Sequence, residues 1–160
     1  MRFANLKWLW LSALVLVLDQ ATKWAAVHWL DYAHPVPVLP AFNLTLLHNT
    51  GAAFSFLSDA GGWQRWLFAA VALVVSALLV VWLIRLRADE RWTAASLALV
   101  LGGAVGNLID RVAYGHVIDF IDLYWGRYHW PAFNVADSAI TVGVVVLLLT
   151  SLKSSGPETD

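Results

Sequence analysis

Cysteine is absent from this chain of 160 residues, which excludes disulfides, thiolate nucleophiles and cysteine-ligated zinc sites. Charged residues are also scarce, at 13% of the sequence, whereas a soluble domain uses roughly 25%. A surface with so few charges is poorly suited to water. The formal net charge is only −1, and no basic patch alternates with stacking aromatics, so we expect no nucleic-acid partner.

Hydrophobic residues make up 60% of the chain, and the mean hydropathy is +0.67. They concentrate in four stretches, each close to the ~20 residues that cross a bilayer as a helix. The stretches cover about residues 6–30, 63–84, 92–112 and 134–152. Many of the ten Trp lie near their ends, as interfacial aromatics do. The pattern predicts an all-α membrane protein, a four-helix transmembrane bundle in a single domain over residues 1–160.

The first stretch also resembles a secretory signal peptide, because basic residues precede an apolar run. Asp19, Gln20 and Lys23 interrupt that run, however, and apolar residues resume as far as Leu30. No convincing A-x-A cleavage site follows. We therefore predict a retained span.

Lys and Arg indicate the orientation of the bundle. Most of them fall on one side of the predicted spans, namely Arg2, Lys7, Arg85, Arg87, Arg91 and Lys153. By the positive-inside rule both termini are cytoplasmic, and residues 31–62 and 113–133 face outward. Residues 42–49 alternate partly and predict a strand in a small extracytoplasmic β-sheet. The short apolar run 117–121 predicts an interfacial loop or helix.

Small residues recur at four-residue spacing in the third span, at Ala98, Gly102 and Gly106, with Gly103 beside them. Such spacing lets helices approach closely. We favour a tight packing face inside the bundle, with a homodimer seam as the alternative.

Polar side chains interrupt the apolar spans in three sets, each on one helix face. The sets are Asp19 and Lys23 in the first span, Asn107, Asp110 and Arg111 in the third, and Asn134, Asp137 and Ser138 in the fourth. Ionisable groups at membrane depth are costly and mark functional sites. At 1.5 Å per residue, Asp110 lies ~27 Å from Trp92, near the outer boundary. Asp119 and Asp137 fall near the same depth, so the sets are predicted to converge on the outer side.

Paired carboxylates can hydrolyse a peptide bond without metal or cofactor, because one ionises while its neighbour keeps a proton. The five His form no zinc-ligand motif, so no metal is expected. One rival is a Ser–Lys dyad with Lys23 as base and Ser55, Ser58 or Ser138 as nucleophile. Lys23 could instead pair with Asp19 or extend to the surface. Asp110 and Arg111 could simply neutralise each other. His48 and His116 receive no role beyond the interface.

Five blocks carry a resemblance to a known family. They are residues 19–23 (DQATK), 49–55 (NTGAAFS), 106–111 (GNLIDR), 117–120 (VIDF) and 133–138 (FNVADS). In this order the chain resembles the lipoprotein signal peptidases, signal peptidase II, over about residues 12–150.

The resemblance implies an aspartic endopeptidase without a cofactor, with Asp119 and Asp137 as its catalytic pair. Residues that it implies line or support the site are Asp19, Lys23, Asn49, Asn107, Asp110, Arg111 and Asn134. The implied substrates are prolipoproteins, cleaved before a cysteine that carries diacylglycerol, and globomycin-type peptides are implied inhibitors. The implied location is the bacterial inner membrane, with the site near the outer leaflet among membrane lipids.

Two other classes of protein also gather carboxylates in a helical bundle. A small transporter or proton channel would need polar residues along its whole depth, yet the inner halves of the last three spans are almost wholly apolar. A non-catalytic factor that binds signal peptides would tolerate Asp→Asn changes, whereas a peptidase would not.

Overall fold

The computed structural model describes residues 4–51 and 61–154 of the chain. A 3-10 turn at Ala4–Trp8 leads into α1, Leu9–Trp29. The other helices are α2, Gln64–Arg85, α3, Arg91–Tyr114, and α4, Val135–Ser154. Each helix coincides with a predicted apolar stretch to within a few residues. Among the described residues, α2, α3 and α4 are long and apolar enough to cross a membrane.

The central element of the bundle is α3, which packs against the other three helices. Its glycines explain why the helices lie so close. A Cβ at Gly102 would lie 2.7 Å from the backbone oxygen of Ser12 in α1, and one at Gly103 would collide with the backbone oxygen of Ala136 in α4. The tight packing face predicted for the third span is therefore confirmed within a single chain.

Towards the N-terminal end of α3 an apolar cluster joins this helix to α2. It is made of Leu79, Leu83, Ala94, Leu97 and Leu101. These side chains are at most 9% exposed. They fill the end of the bundle where α2 ends and α3 begins. The polar side chains described below lie at the other end.

A four-stranded antiparallel sheet covers that other end, in the order β1-β2-β3-β4. The strands are β1, Val36–Leu39, β2, Phe42–Asn49, β3, Val117–Trp125, and β4, Tyr128–His129. The strand predicted over residues 42–49 is confirmed. Because β1 and β2 precede α2 while β3 and β4 follow α3, the sheet brings both predicted outward segments to one end of the bundle.

The prediction of an interfacial loop or helix at 117–121 is wrong, because these residues belong to β3. β-Branched Val117, Ile118 and Ile121 favour a strand, and β2 offers the pairing partner, with Asn49 opposite Val117 and Leu47 opposite Asp119. A run of five residues read alone carries no information about such a distant partner.

Candidate active site

Lys23 lies at the centre of a buried cluster of charges between α1 and α3. Its Nζ is 2.8 Å from Asp19 Oδ2 and 2.8 Å from Asp110 Oδ2. The three residues are at most 1% exposed. Of the alternatives left open for Lys23, the structure contains the pairing with Asp19. Gln20 completes the cluster by donating to Asp110 Oδ1 across 2.9 Å.

Local neutralisation of Asp110 by Arg111 is not what the structure contains, since Asp110 pairs with Lys23 instead. Adjacent residues on a helix point in directions about 100° apart, so their side chains do not face each other. Arg111 turns the other way. Its Nη2 donates to the backbone oxygen of Gly51 at 3.0 Å, and its guanidinium lies 5.4 Å from the ring centre of Phe68.

The amide of Asn107 connects the buried cluster to Asp137. Lys23 Nζ donates to Asn107 Oδ1 across 2.9 Å, and Asn107 Nδ2 donates to Asp137 Oδ1 across 2.8 Å. An ammonium group can only donate. Lys23 therefore fixes which end of the amide is the oxygen, and so directs the NH₂ group at Asp137.

Asn134 and Asp137 form a reciprocal cap at the start of α4. Asn134 Oδ1 accepts from the Asp137 backbone N–H at 2.9 Å, and Asp137 Oδ2 accepts from the Asn134 backbone N–H at 3.3 Å. This pattern satisfies N–H groups that a helix start leaves unpaired. Asp19 Oδ1 accepts a hydrogen bond from a further N–H group of this helix start, that of Ala136, at 2.9 Å. The positive end of α4 thus faces the carboxylates.

Asn134 also reaches the second candidate carboxylate. Its Nδ2 donates to Asp119 Oδ1 across 2.8 Å, while Asn49 Nδ2 donates to Asp119 Oδ2 across 3.1 Å. Asp119 is only 3% exposed. Burial, with the charge of Asp137 adding to it, raises the pKa of the Asp119 carboxyl from 3.8 to about 7, although the bonds from Asn49 and Asn134 oppose the shift.

A cavity of about 760 Å³ opens beside these carboxylates. Its polar wall includes Asp119, Asp137 and Arg111, and its apolar wall includes Trp130 and Phe133. The volume suits a ligand of several hundred daltons. The lining therefore combines two carboxyl groups and a cation with apolar surface.

His48 lines the same cavity, and its ring stacks on that of His116 with 4.0 Å between centroids. Burial, and then the neighbouring His48, lowers the pKa of His116, while Asp110 opposes this shift. No role was predicted for either histidine. The structure places His48 in the cavity lining beside Asn49, and His116 packs against His48.

The structure brings together all nine residues that the sequence singled out, namely Asp19, Lys23, Asn49, Asn107, Asp110, Arg111, Asp119, Asn134 and Asp137. It adds Gln20, which the sequence signalled only as a polar neighbour of Asp19, and the cavity wall at Trp130 and Phe133, for which no role at the site was predicted. Ser138 donates its hydroxyl to the Asn134 backbone oxygen at 3.0 Å. Ser55, Ser58 and the 52–55 part of one resemblance block lie outside the described residues.

Comparison with known proteins finds similar chains of nearly the same length. The chain is 60% identical to "Lipoprotein signal peptidase" of Pseudomonas putida over 159 residues, covering 98% of this chain and 93% of the relative. It is 57% identical to the Acinetobacter baylyi protein of the same name over 145 residues, covering 91% and 81%.

Solved structures give the same result. A bacterial membrane enzyme determined by the in meso method at 2.3 Å resolution superimposes with a TM-score of 0.84 at 31% identity, covering 96% of this chain and 93% of the other. Another, at 1.9 Å resolution, gives 0.79 at 31% identity, covering 93% and 94%.

Fold and comparisons together define a peptidase of the aspartic type built on membrane helices. The Signal peptidase (SPase) II family matches residues 11–153 of the chain. The protein belongs to the signal peptidase II family.

Proposed function

We propose that Asp119 and Asp137 are the catalytic pair of this peptidase and that they cut the signal peptide of a diacylglyceryl-modified prolipoprotein before its lipidated cysteine. The observation that carries the proposal is the Asn134 amide. Its NH₂ group bonds Asp119, and its oxygen bonds the Asp137 backbone. The Asn134 side chain thus contacts both Asp119 of β3 and the backbone of Asp137 in α4, and fixes their relative position.

The two carboxylates divide the work of hydrolysis. Near neutral pH Asp119 holds a proton in about half of the molecules, because its pKa is about 7. Asp137 accepts from two N–H donors and acts as the base. It takes a proton from water as the oxygen attacks the scissile carbonyl carbon, while Asp119 gives its proton to the carbonyl oxygen. The tetrahedral intermediate then collapses and the C–N bond breaks. The proton on Asp137 passes to the leaving amine, and one hydroxyl of the intermediate returns its proton to Asp119 as the new carboxyl group forms.

The other polar residues support the pair. Lys23 neutralises part of the charge of Asp19 and Asp110 and orients Asn107. Asn49 holds Asp119 from the β2 side. Arg111 lines the same cavity and is available to bind a carbonyl oxygen of the substrate.

Substrate lipidation fits the mixed polar and apolar lining of the cavity. Its apolar wall adjoins helices that cross the bilayer, so a scissile bond next to an acyl-anchored cysteine can reach the carboxylates while its chains stay in lipid. Membrane lipid and the signal peptide are then the partners. Globomycin-type peptides should occupy the same cavity and compete with substrate.

A fourth span, α1, belongs to this proposal. At 21 residues it is about 31 Å long, enough to cross. It also runs parallel to α3, since Ser12 bonds Ala98 and Lys23 bonds Asn107. A helix that lies alongside a membrane-spanning helix over its whole length crosses the same thickness of bilayer. The charges of Asp19 and Lys23 in α1 are tolerated there because they are buried and paired. With Lys and Arg inside, both termini face the cytoplasm of the inner membrane and the carboxylates lie near the outer leaflet.

Purified protein given a lipidated pro-peptide should release the signal peptide, seen as a gel shift with the cut mapped by mass spectrometry. The same peptide without diacylglycerol is the matched control, and we expect it to be cut far more slowly. Equal cleavage of both peptides would contradict the proposed substrate, and no cleavage of the lipidated peptide would contradict the activity.

A further inference from the structure

A second polar cluster lies in the sheet, centred on Asp122, three residues along β3 from Asp119. Asp122 of β3 is 5% exposed, and both of its carboxylate oxygens are occupied. Oδ2 accepts from Thr45 Oγ1 at 2.9 Å and from Asn43 Nδ2 at 3.2 Å, both on β2. Oδ1 contacts His129 Nδ1 of β4 at 2.7 Å. One carboxylate therefore joins three strands.

Asp122 is an anion at neutral pH. Burial raises its pKa, but the hydrogen bonds from His129, Thr45 and Asn43 outweigh burial and bring it below its usual value. An ionised carboxylate only accepts, so His129 must donate from Nδ1 whether or not its Nε2 also carries a proton. The contact thus survives deprotonation of the imidazole.

His129 is the last residue of a strand only two residues long. Such a strand adds little pairing of its own. The His129 ring also stacks on Tyr124 at 5.3 Å. Immediately after His129 the chain becomes the apolar wall of the active-site cavity, residues 130–133. Backbone bonds tie this wall to β3 at its two ends, from Trp130 to Leu123 and from Phe133 to Ile121.

We infer that His129, fixed by Asp122, is a positioning residue that holds the cavity wall 130–133 against the apolar part of the substrate. This inference rests on the proposed function. Neither residue touches the carboxylate pair through any bond described above. Loss of the contact should therefore loosen the wall and weaken substrate binding, with little effect on the chemical step.

The test compares His129→Ala, Asp122→Asn and the double variant in the full-length protein. The His129 side chain is about half exposed, so its bond to Asp122 should contribute no more than an ordinary net hydrogen bond, which corresponds to roughly a five- to tenfold change. We expect KM for the lipidated pro-peptide to rise by that factor while kcat stays within about twofold. Amide exchange over residues 128–133 should accelerate. The double variant should lose less than the sum of the two single losses, because both single changes remove the same contact. It need not equal either one, since His129→Ala also removes the stacking on Tyr124 and Asp122→Asn also alters the bonds from β2.

Two further variants serve as a rescue and as a control. His129→Asn retains a donor near the Nδ1 position and should restore most of KM and of the amide protection, even if His129→Ala folds poorly. His28→Ala removes an exposed histidine whose ring bonds only its own helix at Trp24, and should behave as wild type.

The inference would be overturned if amide hydrogen exchange over residues 128–133 were unchanged in His129→Ala. It would also be overturned if that exchange became faster while KM stayed unchanged. A fall in kcat alone, or a failure of His129→Asn to restore binding, would overturn it as well. Because exchange is read without substrate, these outcomes are separate from failure of the proposed function, which would appear as a wild-type protein that does not cleave.

Discussion

Lys23 Nζ lies 2.8 Å from Asp110 Oδ2, and both side chains are almost completely shielded from solvent. Removing one partner of a buried ion pair leaves an uncompensated charge, which costs about 3–5 kcal/mol. Here two carboxylates, Asp19 and Asp110, would be left facing each other. Lys23 therefore stabilises the packing of α1 against α3 in addition to orienting the active-site residues.

Lys23→Met should lower the free energy of unfolding in detergent by about 3–5 kcal/mol. Adding Asp19→Asn to it should restore part of the loss, since one stranded charge is removed. Arg87→Met is the control, because the Arg87–Asp89 pair is exposed and should contribute at most about 1 kcal/mol. Equal effects of the Lys23 and Arg87 changes on the unfolding midpoint would contradict the account.

Gly103→Ala tests the packing of α3 on α4. The new methyl would collide with the Ala136 backbone next to Asn134 and Asp137, so the cap of α4 must shift. We expect a lower melting temperature and at least a tenfold loss of cleavage, because small displacements of catalytic groups are costly. Ala70→Val adds volume on the exposed side of α2 and should change neither. A variant of Gly103 that retained full activity and stability would show that the contact is relaxed.

The pKa of Asp119 predicts how stability depends on pH. Between 3.8 and about 7, Asp119 is protonated in the folded chain and ionised in the unfolded one. The folded state then binds more protons, so the free energy of unfolding falls as pH rises through this window, by up to about 1.4 kcal/mol per unit. Above pH 7 the effect is constant.

Asp119→Asn should flatten that slope relative to wild type, measured as denaturant midpoints at pH 4.5, 6 and 8. Asp31→Asn, a change at an exposed acid on the sheet side of the bundle, should leave the slope unchanged. Identical slopes for wild type and Asp119→Asn would mean that Asp119 ionises normally in the folded protein.

The orientation can be read from single cysteines, because the natural chain contains none. Position 127 lies in the turn between β3 and β4, and position 89 lies between α2 and α3, at opposite ends of the bundle. In spheroplasts an impermeant thiol reagent should label Arg127→Cys directly and Asp89→Cys only after permeabilisation. The reverse result would invert the topology.

Sequence alone predicted the helices well because ~20-residue apolar runs are an unambiguous signal. It also brought Asp110, Asp119 and Asp137 to one depth, since helix rise converts residue number into distance. It could not assign the partner of Asp110, which depends on how α1 and α3 are rotated against each other. β3 was missed for a similar reason, because its pairing with β2 is a long-range contact.

The Asn134–Asp137 cap was not predicted, although an Asn three residues before an acid at the start of an apolar run has the spacing of such a cap. The second role of Asn134, as a donor to Asp119, has no signal in the sequence. Only the structure adds the bond from Asn134 to Asp119, which turns an ordinary helix start into a link between two carboxylates. The Asp122–His129 contact likewise has no local pattern, since it joins strands whose pairing the sequence does not specify.

The most direct test of the account is cleavage of the lipidated pro-peptide by Asp119→Asn and Asp137→Asn. Asn keeps the shape of Asp but cannot exchange protons, and each acid or base role is worth ~10²–10⁴-fold. Both variants should lose turnover by that order while remaining folded, whereas Asp31→Asn and Ser138→Ala should retain it. Near wild-type turnover in either Asp variant, or its loss in Ser138→Ala, would contradict the aspartic pair and favour a Ser–Lys mechanism.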